Sequence, residues 1–169
     1  MSSYLAVVHI IDDDEAVRQS TAFLLRTANI QVQTYETATN FLDALSQVKP
    51  GCIVTDVRMP GLSGIELLQR LRALKFSMPV IVITGHGDVP LAVEAMKAGA
   101  MDFIEKPFND EVLLGAVRTA LSAHAIDSKR QALNAAVNSR IASLSNRERE
   151  VLEGLVAGHP NKTIAYDLG

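Results

Sequence analysis

Five short segments rich in β-branched and apolar residues punctuate the chain: Leu5–Ile11, Gln31–Tyr35, Cys52–Asp56, Val80–Thr84 and Met101–Glu105. Between them, Glu15–Ala28, Ala38–Val48, Gly64–Leu74 and Val89–Ala98 carry apolar side chains at helical spacing, and Asp110–Ala123 repeats that spacing after the last segment. Strict alternation of strand and helix predicts a doubly wound α/β domain, a five-stranded parallel sheet with helices on both faces. The runs "IVT" and "VIVIT" are apolar at consecutive positions, as central strands covered on both sides require. In such a sheet ligands sit beyond the carboxyl ends of the strands, where strand order reverses.

Helical spacing continues past Ala123, with Ile126, Leu133, Val137, Ile141 and Leu144 on one face and "DSKRQ" predicted to interrupt it. Two readings stay open here: a partly helical linker over 124–143, or a packed helix of a second domain. In the next stretch, "LSNREREVLEGLVAGHPNKTIAYDLG", Ser145 and Glu148 have the spacing of a capping box, and Gly158 is placed to close the helix. Val151, Leu152 and Leu155 form a stripe expected to be buried. Asn161 is a candidate cap for a second short helix, "KTIAYDL", with Gly169 as its stop. A small all-α domain is therefore expected from residue 144 onward.

With 169 residues, 48% of them hydrophobic, the chain can bury a full core, and its length suggests one domain plus a remainder. The apolar runs fall far short of the roughly 20 residues of a membrane span, and no basic flank precedes an apolar signal segment at the N-terminus. The expected location is the cytoplasm. Cys52, the sole cysteine, lies in an apolar strand and is expected to be a buried, inert thiol, which fits a reducing compartment. The net charge of −3 is unevenly spread, with 10 basic and 14 acidic side chains in residues 1–125 against 6 and 5 in 126–169. The second part is the more basic, but too weakly for charge alone to argue nucleic-acid binding.

The segment "HIIDDDEAVR" changes the picture. Four consecutive acids, Asp12, Asp13, Asp14 and Glu15, follow directly on an apolar strand. Adjacent carboxylates raise each other's proton affinity, so the cluster must be solvated, cap a helix or hold a cation. Asp14 and Glu15 suit the cap and first turn of a helix. Asp12 and Asp13 after the first strand, Asp56 ending the third, Thr84 ending the fourth and Lys106 after the fifth would converge on one edge of the sheet. Three carboxylates suit a hard divalent ion such as Mg²⁺, with Lys106 as a point charge and Thr84 as a hydroxyl donor. Taken singly, Asp56 at a strand end would more often be a turn residue and Lys106 more often a solvated charge. Placed in order at four strand ends, they point to phosphoryl transfer, which needs an in-line acceptor oxygen and cations on the equatorial oxygens. Pro60, Gly61 and Gly64 in "MPGLSG" make the turn into the third helix, Gly85 leaves room for a phosphate or serves a turn, and His86 is a loop residue.

The segments "IIDDDEAVR", "IVTDVRMPGLSGIELL", "VIVITGHGD" and "AGAMDFIEKPF", at these spacings, resemble the flavodoxin-like receiver domain of two-component response regulators over residues 4–125. The resemblance implies Asp56 as phosphoacceptor, with Thr84 and Lys106 binding the phosphoryl group. It implies Asp13, Asp56 and the Arg58 carbonyl as Mg²⁺ ligands, and Asp12 reaching the ion through water. Also implied are a cis Lys106–Pro107 bond, an aromatic switch at Phe103 that moves inward as Thr84 closes on phosphate, and a dimer surface at Val93 and Lys97. Residues at the positions of Arg58 and His86 tune hydrolysis of the aspartyl phosphate in that family.

Further along, "REREVL", "AG" and "NKTIA" resemble the start of a LuxR-type helix-turn-helix domain, in which the recognition helix would follow residue 169, so the residues that read DNA are left unassigned. The expected organisation is a receiver over 1–123, a linker over 124–143 and the beginning of the DNA-binding domain over 144–169. A sensor histidine kinase would phosphorylate Asp56, and a homodimer would then act on promoter DNA. Among such regulators the chain looks nearest to those of nitrogen-fixation genes. The protein would not be an enzyme beyond its own phosphorylation and slow dephosphorylation.

Three alternatives remain. A Mg²⁺-dependent hydrolase working through an aspartyl phosphate on a similar sheet usually keeps nucleophile and acid partner together after the first strand, unlike the arrangement here. A receiver with a purely protein–protein output conflicts with "REREVL", and a helical tail without DNA function is the blandest reading.

Overall fold

The computed structural model describes residues 5–168, with the side chains of 5–166. Its elements are β1 (Val7–Ile11), α1 (Glu15–Thr27), β2 (Gln31–Tyr35), α2 (Ala38–Asp43), β3 (Gly51–Asp56), α3 (Gly64–Ala73), β4 (Val80–Thr84), α4 (Val89–Lys97), β5 (Asp102–Glu105), α5 (Asp110–Ala142), α6 (Asn146–Val156) and α7 (Asn161–Leu168). All five strands pair in parallel in the order β2-β1-β3-β4-β5. The chain moves outward from β1 to one edge and then crosses back to β3, so the switch point lies between β1 and β3. Asp12 and Asp56 follow or end those two strands. Compact units divide after Ile126.

Each face of the sheet has its own core. Ile11, Ile53 and Val82 pack with Phe41 of α2, Leu68 of α3 and Ala95 of α4. On the other face Val8, Val54 and Ile83 pack with Leu25 of α1 and Leu113 and Val117 of α5. Successive side chains on a strand point to opposite faces, so double coverage makes the central strands apolar at every position, as β4 is. Cys52 is buried, and burial pushes its thiol up to about 12. Two glycines set close approaches. A Cβ on Gly51 would run into the Val7 carbonyl where β1 meets β3, and one on Gly64 would run into the carbonyl of Asp56, so α3 starts directly against the strand end that carries the site.

The structure trims the predicted boundaries. β1 begins at Val7, where pairing with Gly51 begins, rather than at Leu5. The helix expected over Ala38–Val48 ends at Asp43 and tightens into a 3₁₀ turn at Leu45–Gln47, where the Gln47 N–H donates to the Ala44 carbonyl. The largest correction concerns "DSKRQ", which does not interrupt α5. Lys, Arg and Gln are good helix formers, and Arg130 pairs with Asp127 one turn away at 3.3 Å. Ile126, Leu133 and Val137 along this continuous helix are exposed.

In the second unit the Ser145–Glu148 capping box forms. The Glu148 N–H donates to Ser145 Oγ at 3.2 Å, and the Ser145 N–H donates to Glu148 Oε2 at 2.7 Å. Gly158, at φ +75°, follows α6 in the left-handed region, as a closing glycine does. Two expectations fail. Asn161 is the first residue of α7 rather than its cap, because the Ile164 N–H bonds the Pro160 carbonyl. The stripe on α6 is not buried: Val151 and Leu155 stay 37% and 51% exposed, while Ile164, at 7%, packs toward Gly154. Two short helices have too little surface to cover both of their apolar faces. Gly169, expected to stop α7, lies outside the described residues. Among those residues no helix is long and apolar enough to cross a membrane.

Candidate functional site

Asp12 and Asp13 occupy the turn from β1 into α1. Asp14 caps that helix, accepting from the N–H groups of Ala16 and Val17 at 2.9 and 3.2 Å, and Glu15 is its first residue. Two of the four acids are thereby explained by the helix terminus. Asp12 is fixed by three groups. Its N–H donates to the Tyr35 carbonyl, its own carbonyl accepts from Arg18 Nη1 at 2.7 Å, and its Oδ1 accepts from the Asp14 N–H at 2.9 Å. The result is a carboxylate only 2% exposed, beside the exposed Asp13 and the half-buried Asp56. One oxygen from each of these three carboxylates lies within 4.8 Å of the others.

Lys106 enters from the far side. Its N–H donates to the Thr84 carbonyl at 2.8 Å, which ties the end of β5 to the end of β4, and the following bond to Pro107 is cis. Its Nζ stands 3.6 Å from Asp56 Oδ2 and 3.7 Å from Asp12 Oδ2. Burial raises the proton affinity of both carboxyls, and the Lys106 ammonium offsets part of that rise. Three acids against one ammonium leave a negative excess. An all-oxygen donor set with that excess fits a hard divalent cation such as Mg²⁺, which would relieve the strain of the buried charges. Thr84 is the last residue of β4 and is 2% exposed, its carbonyl holding the Lys106 N–H.

The remaining predicted residues sit around this centre. Arg58 extends its side chain away and grips Asp88 in a bidentate pair, Nη2 to Oδ1 at 2.7 Å and Nε to Oδ2 at 3.0 Å. The exposed His86 places Nδ1 3.0 Å from Glu105 Oε1, which also accepts the Gly87 N–H at 2.8 Å. Nothing in the sequence marks Asp88 and Glu105 for these pairings. Asp88 could be read there as a helix cap, but its pairing across 30 residues has no local signature. Phe103 is 43% exposed, at the mouth of an apolar cavity of about 390 Å³ lined by Thr84, Val89, Ala92, Val93 and Met96. Val93 and Lys97 are exposed on α4 beside it. A larger groove of about 770 Å³ runs along β2 between Arg26 and Lys49, but no acid lines it.

This geometry is that of a phosphoacceptor domain, and comparison with known proteins agrees. Residues 8–118 match the model of the response regulator receiver domain, and residues 142–169 match that of the bacterial regulatory proteins of the luxR family. The chain belongs to the two-component response regulators of the FixJ type, which join a receiver to a LuxR-type helix-turn-helix domain and regulate transcription. It is 58% identical over 162 residues to the transcriptional regulatory protein FixJ of Azorhizobium caulinodans, covering 96% of this chain and 77% of that one. Identity to FixJ of Rhizobium meliloti is 52%, over 95% of this chain and 79% of the other. Among solved structures, full-length FixJ from B. japonicum is 50% identical with a TM-score of 0.70, covering 96% of this chain and 80% of that one. The response regulator StyR is 40% identical with a TM-score of 0.87, covering 97% and 83%.

Proposed function

We propose that Asp56 accepts a phosphoryl group from the phosphohistidine of a sensor kinase and that this event controls the output of the second unit. The observation that carries the reading is the bridging of Asp12 and Asp56 by Lys106. An Asp56 oxygen forms the new O–P bond as the N–P bond to the kinase imidazole breaks, and the imidazole leaves with its electron pair. Lys106, already beside Asp56, neutralises a phosphoryl oxygen, and the Thr84 hydroxyl donates to another. Asp13, Asp56 and the Arg58 carbonyl would hold Mg²⁺, with Asp12 reaching it through water. The ion, when bound, would supply positive charge that offsets the negative charge of the transferring group. These roles rest on proximity and on the family.

Movement of Thr84 toward the phosphoryl group would leave the cavity beneath it open to Phe103, and inward rotation of that ring would remodel the α4 face bearing Val93 and Lys97 into a homodimer surface. The second unit would then bind promoter DNA, the family affinity suggesting genes of nitrogen fixation, in the cytoplasm. The hydrolase alternative is disfavoured because Asp56 has no acid partner after its own strand, the acids beside it, Asp12 and Asp13, following β1 instead. Labelling with acetyl phosphate and Mg²⁺ tests the proposal. One acid-labile phosphate should map to Asp56 and vanish in Asp56→Asn, whereas labelling of Asp12 or Asp13 would overturn the assignment.

A further inference from the structure

Asp88 is the cap residue of α4, yet its carboxylate accepts no hydrogen bond from that helix. Elsewhere in the chain Asp14, Thr37, Ser63 and Ser145 all cap their helices with their side chains. Both Asp88 oxygens instead face the Arg58 guanidinium in the bidentate pair. Pro90, the second residue of α4, has no N–H to offer, so the third, Leu91, carries the donor that a capping carboxylate would satisfy. Asp88 also lies at three other places that matter. Its carboxylate stands over Gly85, where a Cβ would be 3.1 Å from Oδ2. It lines the cavity beside Thr84 and Phe103. Its partner, Arg58, is two residues from Asp56, and its guanidinium also feels the Asp56 charge.

We propose that Asp88 is a positioning residue with two exclusive partners. In the unphosphorylated protein it holds the Arg58 guanidinium and leaves α4 uncapped. Once Asp56 carries a phosphoryl group, Arg58 turns to that group and Asp88 swings onto the Leu91 N–H. This rests on the reading of Asp56 as phosphoacceptor. The direction follows from charge: a phosphoryl group near neutral pH carries close to two negative charges and three acceptor oxygens, against the single charge of a carboxylate. The Arg58 side chain is 69% exposed, so the pair with Asp88 is a weak tie that a stronger anion can break. The exchange converts a charge change at the end of β3 into a change in the first turn of α4, without a contact between Asp56 and that helix.

The test is amide exchange at Leu91, followed by NMR on the wild type, Arg58→Ala, Asp88→Asn and Asp88→Ala, each with and without acetyl phosphate and Mg²⁺. Asn caps a helix as well as Asp does but cannot form the charged bidentate pair. Wild-type exchange should slow about fivefold on phosphorylation, the protection that one capping bond gives. Arg58→Ala and Asp88→Asn should be slow in both states and Asp88→Ala fast in both. An unphosphorylated Arg58→Ala protein that exchanges Leu91 at the wild-type rate would overturn the proposal, as would full phosphate-induced protection in Asp88→Ala. Mass measurement of Asp56 in the same samples separates the two readings. If the wild type takes no phosphate, the acceptor assignment fails, while the unphosphorylated arms still decide the role of Asp88.

Discussion

The ammonium of Lys106 stands 3.6 Å from Asp56 and 3.7 Å from Asp12, almost midway between two carboxylates that come from different strands. It is the one cation placed by the described residues within ion-pair distance of both acids, and it holds a site whose charges otherwise repel.

Removing that charge should therefore affect chemistry before fold. Lys106→Ala is expected to slow acetyl-phosphate labelling of Asp56 by about a hundredfold to a thousandfold, the range for loss of one preorganised donor to a developing charge. Rates of labelling at fixed Mg²⁺ check this, and a rate within twofold of wild type would reject the role.

The same buried charges predict a site that costs stability when empty. Burial raises the proton affinities of Asp12 and Asp56 in the folded state. A raised folded value favours the fold below the ordinary carboxylate range, and that contribution is lost as pH climbs through the folded value. At neutral pH without Mg²⁺, Asp56→Asn should thus unfold at higher denaturant, by about 1–2 kcal/mol. Added Mg²⁺ should stabilise the wild type by mass action and the variant much less.

His9 sets the opposite trend. It is fully buried on β1, and since a carbonyl can only accept, its Nε2 donates to Lys49 at 2.9 Å and Nδ1 faces the Tyr35 hydroxyl at 3.3 Å. Burial holds its pKa below the ordinary histidine range. A lowered folded value gives stability above the unfolded pKa of about 6.5, lost as pH falls through the folded value. In denaturant titrations between about pH 7 and pH 5, the difference between wild type and His9→Gln should shift against the wild type as pH falls. A constant difference would show that folding leaves the His9 pKa where it is in the unfolded chain.

Phe103 offers a test of the switch. Its ring is 43% exposed beside a cavity of about 390 Å³, ample for a phenyl group. Phe103→Ala should accept phosphate at a rate within about twofold of wild type but lose phosphate-dependent dimerisation, because nothing then fills the cavity and remodels α4. Sedimentation at micromolar protein, with and without phosphate, reads this directly.

A backbone prediction follows from the close start of α3. Gly64→Ala places a methyl group against the Asp56 carbonyl. The strand end must then move, at a cost of about 1–3 kcal/mol and with impaired labelling, since the acceptor moves with it. Unchanged stability together with unchanged labelling would contradict the packing.

Much of the architecture was legible in the order of residues because it is encoded locally. Strand and helix alternate with distinct periods, Ser145 and Glu148 sit three apart, and Asp12, Asp56, Thr84 and Lys106 each fall at or just beyond a strand end. Parallel strands necessarily gather those ends on one edge. What local pattern cannot contain is the choice of partner. Arg58 takes Asp88 rather than solvent, Asp12 is buried while its neighbour Asp13 is exposed, and Lys106 bridges two acids, all because the order β2-β1-β3-β4-β5 sets loops distant in sequence beside one another. Coverage is likewise a tertiary matter. The apolar stripe of Val151 and Leu155 reads like that of α3, yet α3 lies on a sheet whereas among the described residues α6 packs on the short α7, so the same periodicity ends buried in one helix and exposed in the other. Periodicity specifies which face is apolar, and only the packed chain decides what, if anything, covers it.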